Sequence, residues 1–395
     1  MREIQTEGLV IKSWCEEIEP GALEQALNIA RLPFAFHHIA LMPDAHQGFG
    51  MPIGGVLATV DMVVPNAVGV DIGCGMAAVS LDAIADEVKL QTRKEIIDEI
   101  RHRIPVGFKH RGGGDILPWD GWDTMPEIEL LEELRPEGRD QIGTLGGGNH
   151  FIELQADEEG RMWLMVHTGS RNFGLRVAQH YHKRAVSRLE RKSGDTNGKK
   201  TKVRRIPNKE LAYLPMDSQD GSEYLAAMQF AVRFSEANRS AIREQIEEIL
   251  RSYGITATER ITAVHNYAAV EQHFGREVVV HRKGAIRAGQ DELGIVPGSQ
   301  GTRSYIVKGK GNPDSFVSSS HGAGRKMGRK QAQRTLSVKE QAALLDAKGI
   351  IHAVHNKGDL DEAPGAYKDI DAVMAAQGDL VEIVHTLSPL AVVKA

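Results

Sequence analysis

Cysteine is nearly missing: the 395 residues include two, Cys15 and Cys74. Two cysteines cannot build a disulfide framework, which points to a reducing compartment and a soluble cytoplasmic protein. Long apolar runs are missing too. No stretch approaches the ~20 residues that a membrane-spanning helix needs, and the opening MREIQTEGLVIKSW has no apolar signal core. No membrane partner is expected. Excess positive charge is also lacking: the net charge is −5, so no global field recruits nucleic acid, and such a partner would need a local basic groove. Neither an internal repeat nor a dividing linker is present, and the chain reads as one large mixed domain over 1–395.

Glycine is abundant, at 41 residues, and clustered, which marks turns where backbone comes close to something. IGGVLATV and MAAVSL read as buried strands bounded by glycine. The pattern of 84–102 predicts an amphipathic helix closed by Pro105 and Gly107. A strand is expected over 162–174 and a helix from 174 to 192. The hydrophilic stretch 191–210 reads as an exposed loop. The clearest helix is 222–252, where Leu225, Met228, Val232, Ser235, Ile242, Ile246 and Ile249 share a face. A strand EVVVHRKGAI follows, and the carboxyl end is helix and then strand.

Chemistry-bearing residues gather in two groups. VGVDIGCGM places Asp71 three positions before Cys74, and three histidines end apolar runs: His150 in GGGNHF, His167 in LMVHTGSR and His265 in TAVHNY. Five donors exceed a closed tetrahedral zinc site and suit two divalent ions sharing a thiolate bridge. Each residue also has a plainer role open to it, the thiol as a small hydrophobe in a turn and each histidine as a hydrogen-bonded structural group. The second group is 296–329, where glycines and serines offer donors and Arg303, Lys308, Lys310, Arg325 and Arg329 supply charge. That is the chemistry of a phosphate cradle, although no GxxxxGK[ST] loop is present. His321, centred in SSSHGAGR, is either a nucleophile toward an α-phosphate or a hydrogen-bonding loop residue.

Taken in order, LMPDAHQGFG, VGVDIGCGM, GTLGGGNHFIE, VHTGSR, HNY, RKGA, PGS, SFVSSSHGAGR and AYKDIDAVM resemble the motifs of the RtcB family of RNA-splicing ligases, over nearly the whole chain. The resemblance implies an α+β fold, a single large domain with central β-sheets and surrounding helices around a deep metal and nucleotide cleft. It implies a GTP-dependent RNA ligase that joins 2′,3′-cyclic phosphate or 3′-phosphate ends to 5′-hydroxyl ends in tRNA splicing or RNA repair. Two manganese ions would serve it, zinc or another divalent ion being able to take the same donors. In that scheme His321 takes GMP from GTP, and Cys74 bridges the metals, with Asp71 and His150 on one ion and His167 and His265 on the other. Asn149, Glu153, Ser299, Ser318, Ser320, Gly322, Gly324, Arg325, Tyr367 and Lys394 would hold the nucleotide. Arg171, Arg325, Lys283 and the basic residues near Lys183–Arg205 would contact RNA, although that last group also reads as a solvated loop. Two other readings stand beside it, a dinuclear metal-dependent phosphoesterase acting on RNA ends and a non-catalytic nucleotide- or RNA-binding protein. The resemblance leaves the natural RNA, the oligomeric state and any protein activator open.

Three features depart from the family pattern. Gln300 stands where many members carry Met, the chain ends VVKA rather than with the usual Lys-Gly, and 191–210 matches no motif.

Overall fold

The computed structural model describes residues 1–194, 206 and 208–394. It is a mixed α/β fold with two large sheets and, among the described residues, nine α-helices. A six-stranded sheet orders Arg2–Ile4, Ile11–Ser13, Ala35–Phe49, Met51–Thr59, Arg276–Lys283 and Asn266–His273. A seven-stranded sheet orders Ala257–Val264, Gly75–Ile84, Arg161–Thr168, Phe151–Ala156, Val381–Val393, Ser304–Gly309 and Leu293–Val296. The edge strands Ala257–Val264 and Asn266–His273 are joined by one residue, His265, so this histidine sits where one sheet hands over to the other.

Alternation builds the core. Along Gly75–Ile84, Ala77, Val79 and Leu81 face the helices Leu90–Arg103 and Gln219–Ser252, packing on Ile96, Ile100, Ile242 and Ile246. Met76 and Ala78 face the opposite way, against Trp163, Met165, Ile295 and Ile306.

The long helix runs Gln219–Ser252, capped by Ser218, whose hydroxyl accepts from Gly221 N. Of its expected apolar face, Met228, Ser235, Ile242, Ile246 and Ile249 are buried, while Leu225 and Val232 are partly buried. The strands expected at IGGVLATV and MAAVSL are present as Met51–Thr59 and Gly75–Ile84, and the carboxyl end is helix Ile370–Ala375 and then strand.

Three boundaries differ from expectation for local reasons. The helix expected over 84–102 starts only at Leu90, because Ala85 N bonds Gly160 O and Lys89 is extended at ψ 147°. The strand expected over 162–174 stops at Thr168, since Arg171 and Asn172 take positive φ of 49° and 72° before the helix Phe173–Gly194. EVVVHRKGAI breaks at Gly284, φ 62°, and Ala285–Arg287 leaves the sheet to pair with Ser318–Ser320. That break places His321 beside the sheet junction. Within the expected loop 191–210, residues 195–205 and 207 lie outside the described residues, and Lys209–Leu211 forms a 3₁₀ turn.

Candidate active site

Strand register brings the distant donors together. Met76 and Phe151 both pair with His167, and Gly75 pairs with Thr168 and Val264. Cys74, His150, His167 and His265 therefore stand at neighbouring strand ends. Among the described residues two groups could each hold a metal: Asp71, Cys74 and His150, and Cys74, His167 and His265. Cys74 belongs to both. Its Sγ lies 3.3 Å from His167 Nε2 and 3.6 Å from His150 Nε2. His150 Nε2 is 3.1 Å from Asp71 Oδ2, and His167 Nε2 is 3.2 Å from His265 Nε2.

The surrounding backbone fixes which ring nitrogen faces the centre. His150 Nδ1 donates to Leu145 O at 2.9 Å and His167 Nδ1 to Asn149 O at 3.0 Å, leaving both Nε2 atoms for a ligand. Burial holds His167 and His265 well below the ordinary imidazole pKa, so both are neutral, as metal ligands must be. Burial opposes ionisation of Asp71, but the hydrogen bond and charge of His150, with Cys74 and His167, outweigh it and leave the carboxyl at about 2. Without an ion, burial and the neighbouring Asp71 push the Cys74 thiol well above its ordinary range. Two divalent charges beside the sulfur would reverse that balance. The donor set fits a thiolate-bridged pair of divalent ions.

One helix ties the ligand loops together through polar residues. Arg239, fully buried, donates to Gly73 O at 2.7 Å and Thr168 O at 3.0 Å, while Asn238 bonds Gly143 N, Thr144 O and Gly169 O. The glycines around Cys74 are required by this packing. At Gly73, φ 78°, a Cβ would lie 2.8 Å from Ser235 Cβ, and a Cβ on Gly169 would lie 2.4 Å from Asp71 Oδ1.

His321 lies next to this centre, its ring centroid 4.7 Å from that of His265. Its Nδ1 is 2.6 Å from Asp44 Oδ2, and the same oxygen accepts from His321 N at 3.2 Å. Asp44 is fully buried, and it aligns the ring through Nδ1, leaving Nε2 as the other ring nitrogen. Gly324, φ 71°, allows the close approach, since a Cβ there would lie 2.3 Å from Asp44 O.

A cavity of about 490 Å³ opens beside His321. Asn149, Glu153, Ser299, Gly322, Gly324, Arg325, Tyr367 and Lys394 all line it. Burial pushes the Glu153 carboxyl up to about 8, against the opposing pull of Gln155 and Lys394. Burial lowers the Lys394 ammonium, with the carboxylates of Glu362, Asp361 and Glu153 opposing. Gln300 also lines the cavity and donates to Glu362 O at 3.1 Å.

Other expected residues lie elsewhere. Ser318 and Ser320 do not line the cavity: Ser318 Oγ accepts from Arg282 Nε at 2.9 Å, and Ser320 Oγ accepts from Gln377 Nε2 at 2.6 Å. Lys283 is not placed for RNA, because it is buried with its ammonium bonded to the carbonyls of Phe49 and Asn66. Arg325 is held by Glu362 Oε1 at 3.1 Å, and Arg171 bonds Thr144 Oγ1 and Gly107 O, both at 3.1 Å. Of the basic stretch near Lys183–Arg205, residues 195–205 fall outside the described residues.

Sequence reasoning missed Asp44, Glu362, Asn238 and Arg239. Asp44 carried a signal, a carboxylate inside the apolar strand run HHIALMPDA. Buried Glu362 binds Arg325, Arg329 and Tyr367 and so organises one cavity wall, but its sequence, DLDEAPG, looks like an ordinary acidic loop.

The family model described as tRNA-splicing ligase RtcB matches residues 25–395. The chain is 37% identical to the RNA-splicing ligase RtcB of Escherichia coli (strain K12), covering 99% of this chain and 98% of that protein. It is 34% identical to the tRNA-splicing ligase RtcB of Thermococcus kodakarensis, over 94% of this chain and 90% of that one. Against the RNA-splicing ligase RtcB of Mycobacterium tuberculosis the identity is 33%, over 94% of this chain and the whole of the relative. The chain belongs to the RtcB family of RNA ligases.

Proposed function

We propose that this protein is a GTP-dependent ligase that joins RNA 3′-phosphate or 2′,3′-cyclic phosphate ends to 5′-hydroxyl ends through a guanylylated histidine, as a single catalytic domain in the cytoplasm. The observation that carries the reading is the juxtaposition of His321, aligned by Asp44, with two three-donor groups that share Cys74. Two divalent ions, manganese in this reading, would be held by Asp71, Cys74 and His150 and by Cys74, His167 and His265. They would offset the charge of the triphosphate.

The remaining chemistry belongs to the chain. Asp44 holds the proton on His321 Nδ1, so Nε2 presents its lone pair to the α-phosphorus of GTP. An N–P bond forms, and the bond to pyrophosphate breaks. A cyclic phosphate is first hydrolysed to a 3′-phosphate. One of its oxygens then takes GMP from His321, and the 5′-hydroxyl oxygen displaces GMP to close the phosphodiester. The cavity of about 490 Å³ is of the size that takes a nucleotide, with Asn149, Glu153, Tyr367 and Lys394 on its walls. Glu153 is the group we assign to the guanine edge.

The test is incubation with α-labelled GTP and Mn²⁺, followed by denaturation. A covalent label that survives alkali, is lost in acid and is absent in His321→Ala supports the proposal. Metal-dependent hydrolysis of a cyclic phosphate end with no label would overturn it in favour of a phosphoesterase.

A further inference from the structure

Phe108 is an outlier on this surface. It is 98% exposed, whereas no other large apolar side chain among the described residues exceeds 54%.

The segment that carries it is anchored on both sides of the ring. Gly107 N donates to Gly146 O at 2.9 Å, and Arg171 Nη2 donates to Gly107 O at 3.1 Å. Beyond the ring, the His110 imidazole lies 2.8 Å from Gln141 Nε2, and Arg111 Nη2 donates to Gly143 O at 3.0 Å and to Gln245 Oε1 at 2.8 Å. The backbone thus fixes a bare ring in solvent.

Lys109 is the cation beside the ring, and the segment is bonded to the loop that leads to His150. Lys109 and His110 are exposed beside it, and Arg111 follows. Gly146 touches both Arg171 and His150: a Cβ there would lie 1.9 Å from Arg171 Nη1 and 2.9 Å from His150 Nδ1. One hydrogen-bonded step therefore separates the Phe108 segment from the loop that carries a metal-site histidine. A bare aromatic face with cationic neighbours is the combination that binds an unpaired nucleotide, the ring stacking on the base and the cations meeting the phosphates.

We infer that Phe108, with Lys109, is a stacking platform for an unpaired base of the RNA strand that enters the reaction centre. This rests on the RNA-joining function proposed above and names a contact outside the nucleotide cavity.

The probe is a short fluorescein-labelled single-stranded RNA with a 3′-phosphate, titrated by anisotropy against the full chain in Mn²⁺ without GTP. Phe108→Ala should weaken binding about tenfold, Phe108→Trp should keep it, and Phe108→Leu should behave like Ala, because an aliphatic side chain does not stack. Leu344→Ala, at another exposed apolar residue (54% exposed), should bind as the parent does. Self-guanylylation should be equal in all of these proteins, which also shows that the variants are folded. Unchanged affinity in Phe108→Ala, equal affinity in Phe108→Leu and the parent, or no measurable RNA binding by the parent would each overturn the inference. RNA binding that depends on Phe108 in a parent that forms no guanylylated species would instead overturn the proposed function and leave the platform standing.

Discussion

Removing the Asp44 carboxylate tests how His321 is prepared for attack. Asp44 Oδ2 takes two donors from that residue, the ring Nδ1 at 2.6 Å and the backbone N at 3.2 Å, in a fully buried setting. Hydrogen bonds to a charged group contribute about 1.5–3 kcal/mol each. Asp44→Asn keeps the shape and one accepting oxygen, so it loses only the share due to charge, about 1 kcal/mol, or roughly fivefold in rate. Asp44→Ala loses both bonds and frees the ring to turn or to move its proton to Nε2. At about 3 kcal/mol that is a rate loss of roughly 10²-fold or more. The assay is single-turnover formation of the labelled histidine at saturating GTP and Mn²⁺, with bound metal counted in each protein. Asp44 belongs to neither donor group, so metal content should be unchanged. Labelling by Asp44→Ala within about threefold of the parent, instead of the expected loss of about 10²-fold, would show that Asp44 does not prepare the ring. A matching loss of metal would also refute it, because the effect would then run through the ions.

Cys74→Ala should lower bound metal from two ions per chain to at most one and abolish labelling with it. Two retained ions, counted by elemental analysis, would contradict the bridging role. Glu153→Gln should flatten the pH dependence of stability. Burial raises Glu153 from 4.5 to about 8, so the stability from its retained proton is complete below 4.5 and is lost as pH rises through 8. Thermal midpoints should therefore shift in favour of the Gln variant as pH climbs between those values, and parallel curves would count against it. Gly73→Ala combines a φ of 78° with a Cβ placed 2.8 Å from Ser235 Cβ and 2.9 Å from Val232 Cα. It should cost roughly 2–4 kcal/mol in urea unfolding and weaken metal binding; a parent-like midpoint would show that the turn can relax.

Much of the element pattern was legible because periodicity is local. The face from Met228 to Ile249 marked the long helix, and apolar runs between glycines marked Met51–Thr59 and Gly75–Ile84. Boundaries slipped where a single backbone bond or a positive φ decides the end, as at Ala85 and at Arg171–Asn172. The five candidate metal donors could be named from their motifs, but spacing alone left each between ligand and structural roles.

The sequence by itself determined the family, the long helix, the glycine turns and the residue types able to hold metal and nucleotide, because these are properties of short segments. That Cys74 stands within reach of both donor groups depends on strand register, which sets distances across nearly two hundred positions. Burial divided the basic and hydroxyl residues. It turned Lys283 and Ser318 inward to satisfy buried partners and left Phe108 fully in solvent. The pairing of Asp44 with His321 joins positions 277 apart, and no local pattern carries a contact of that range.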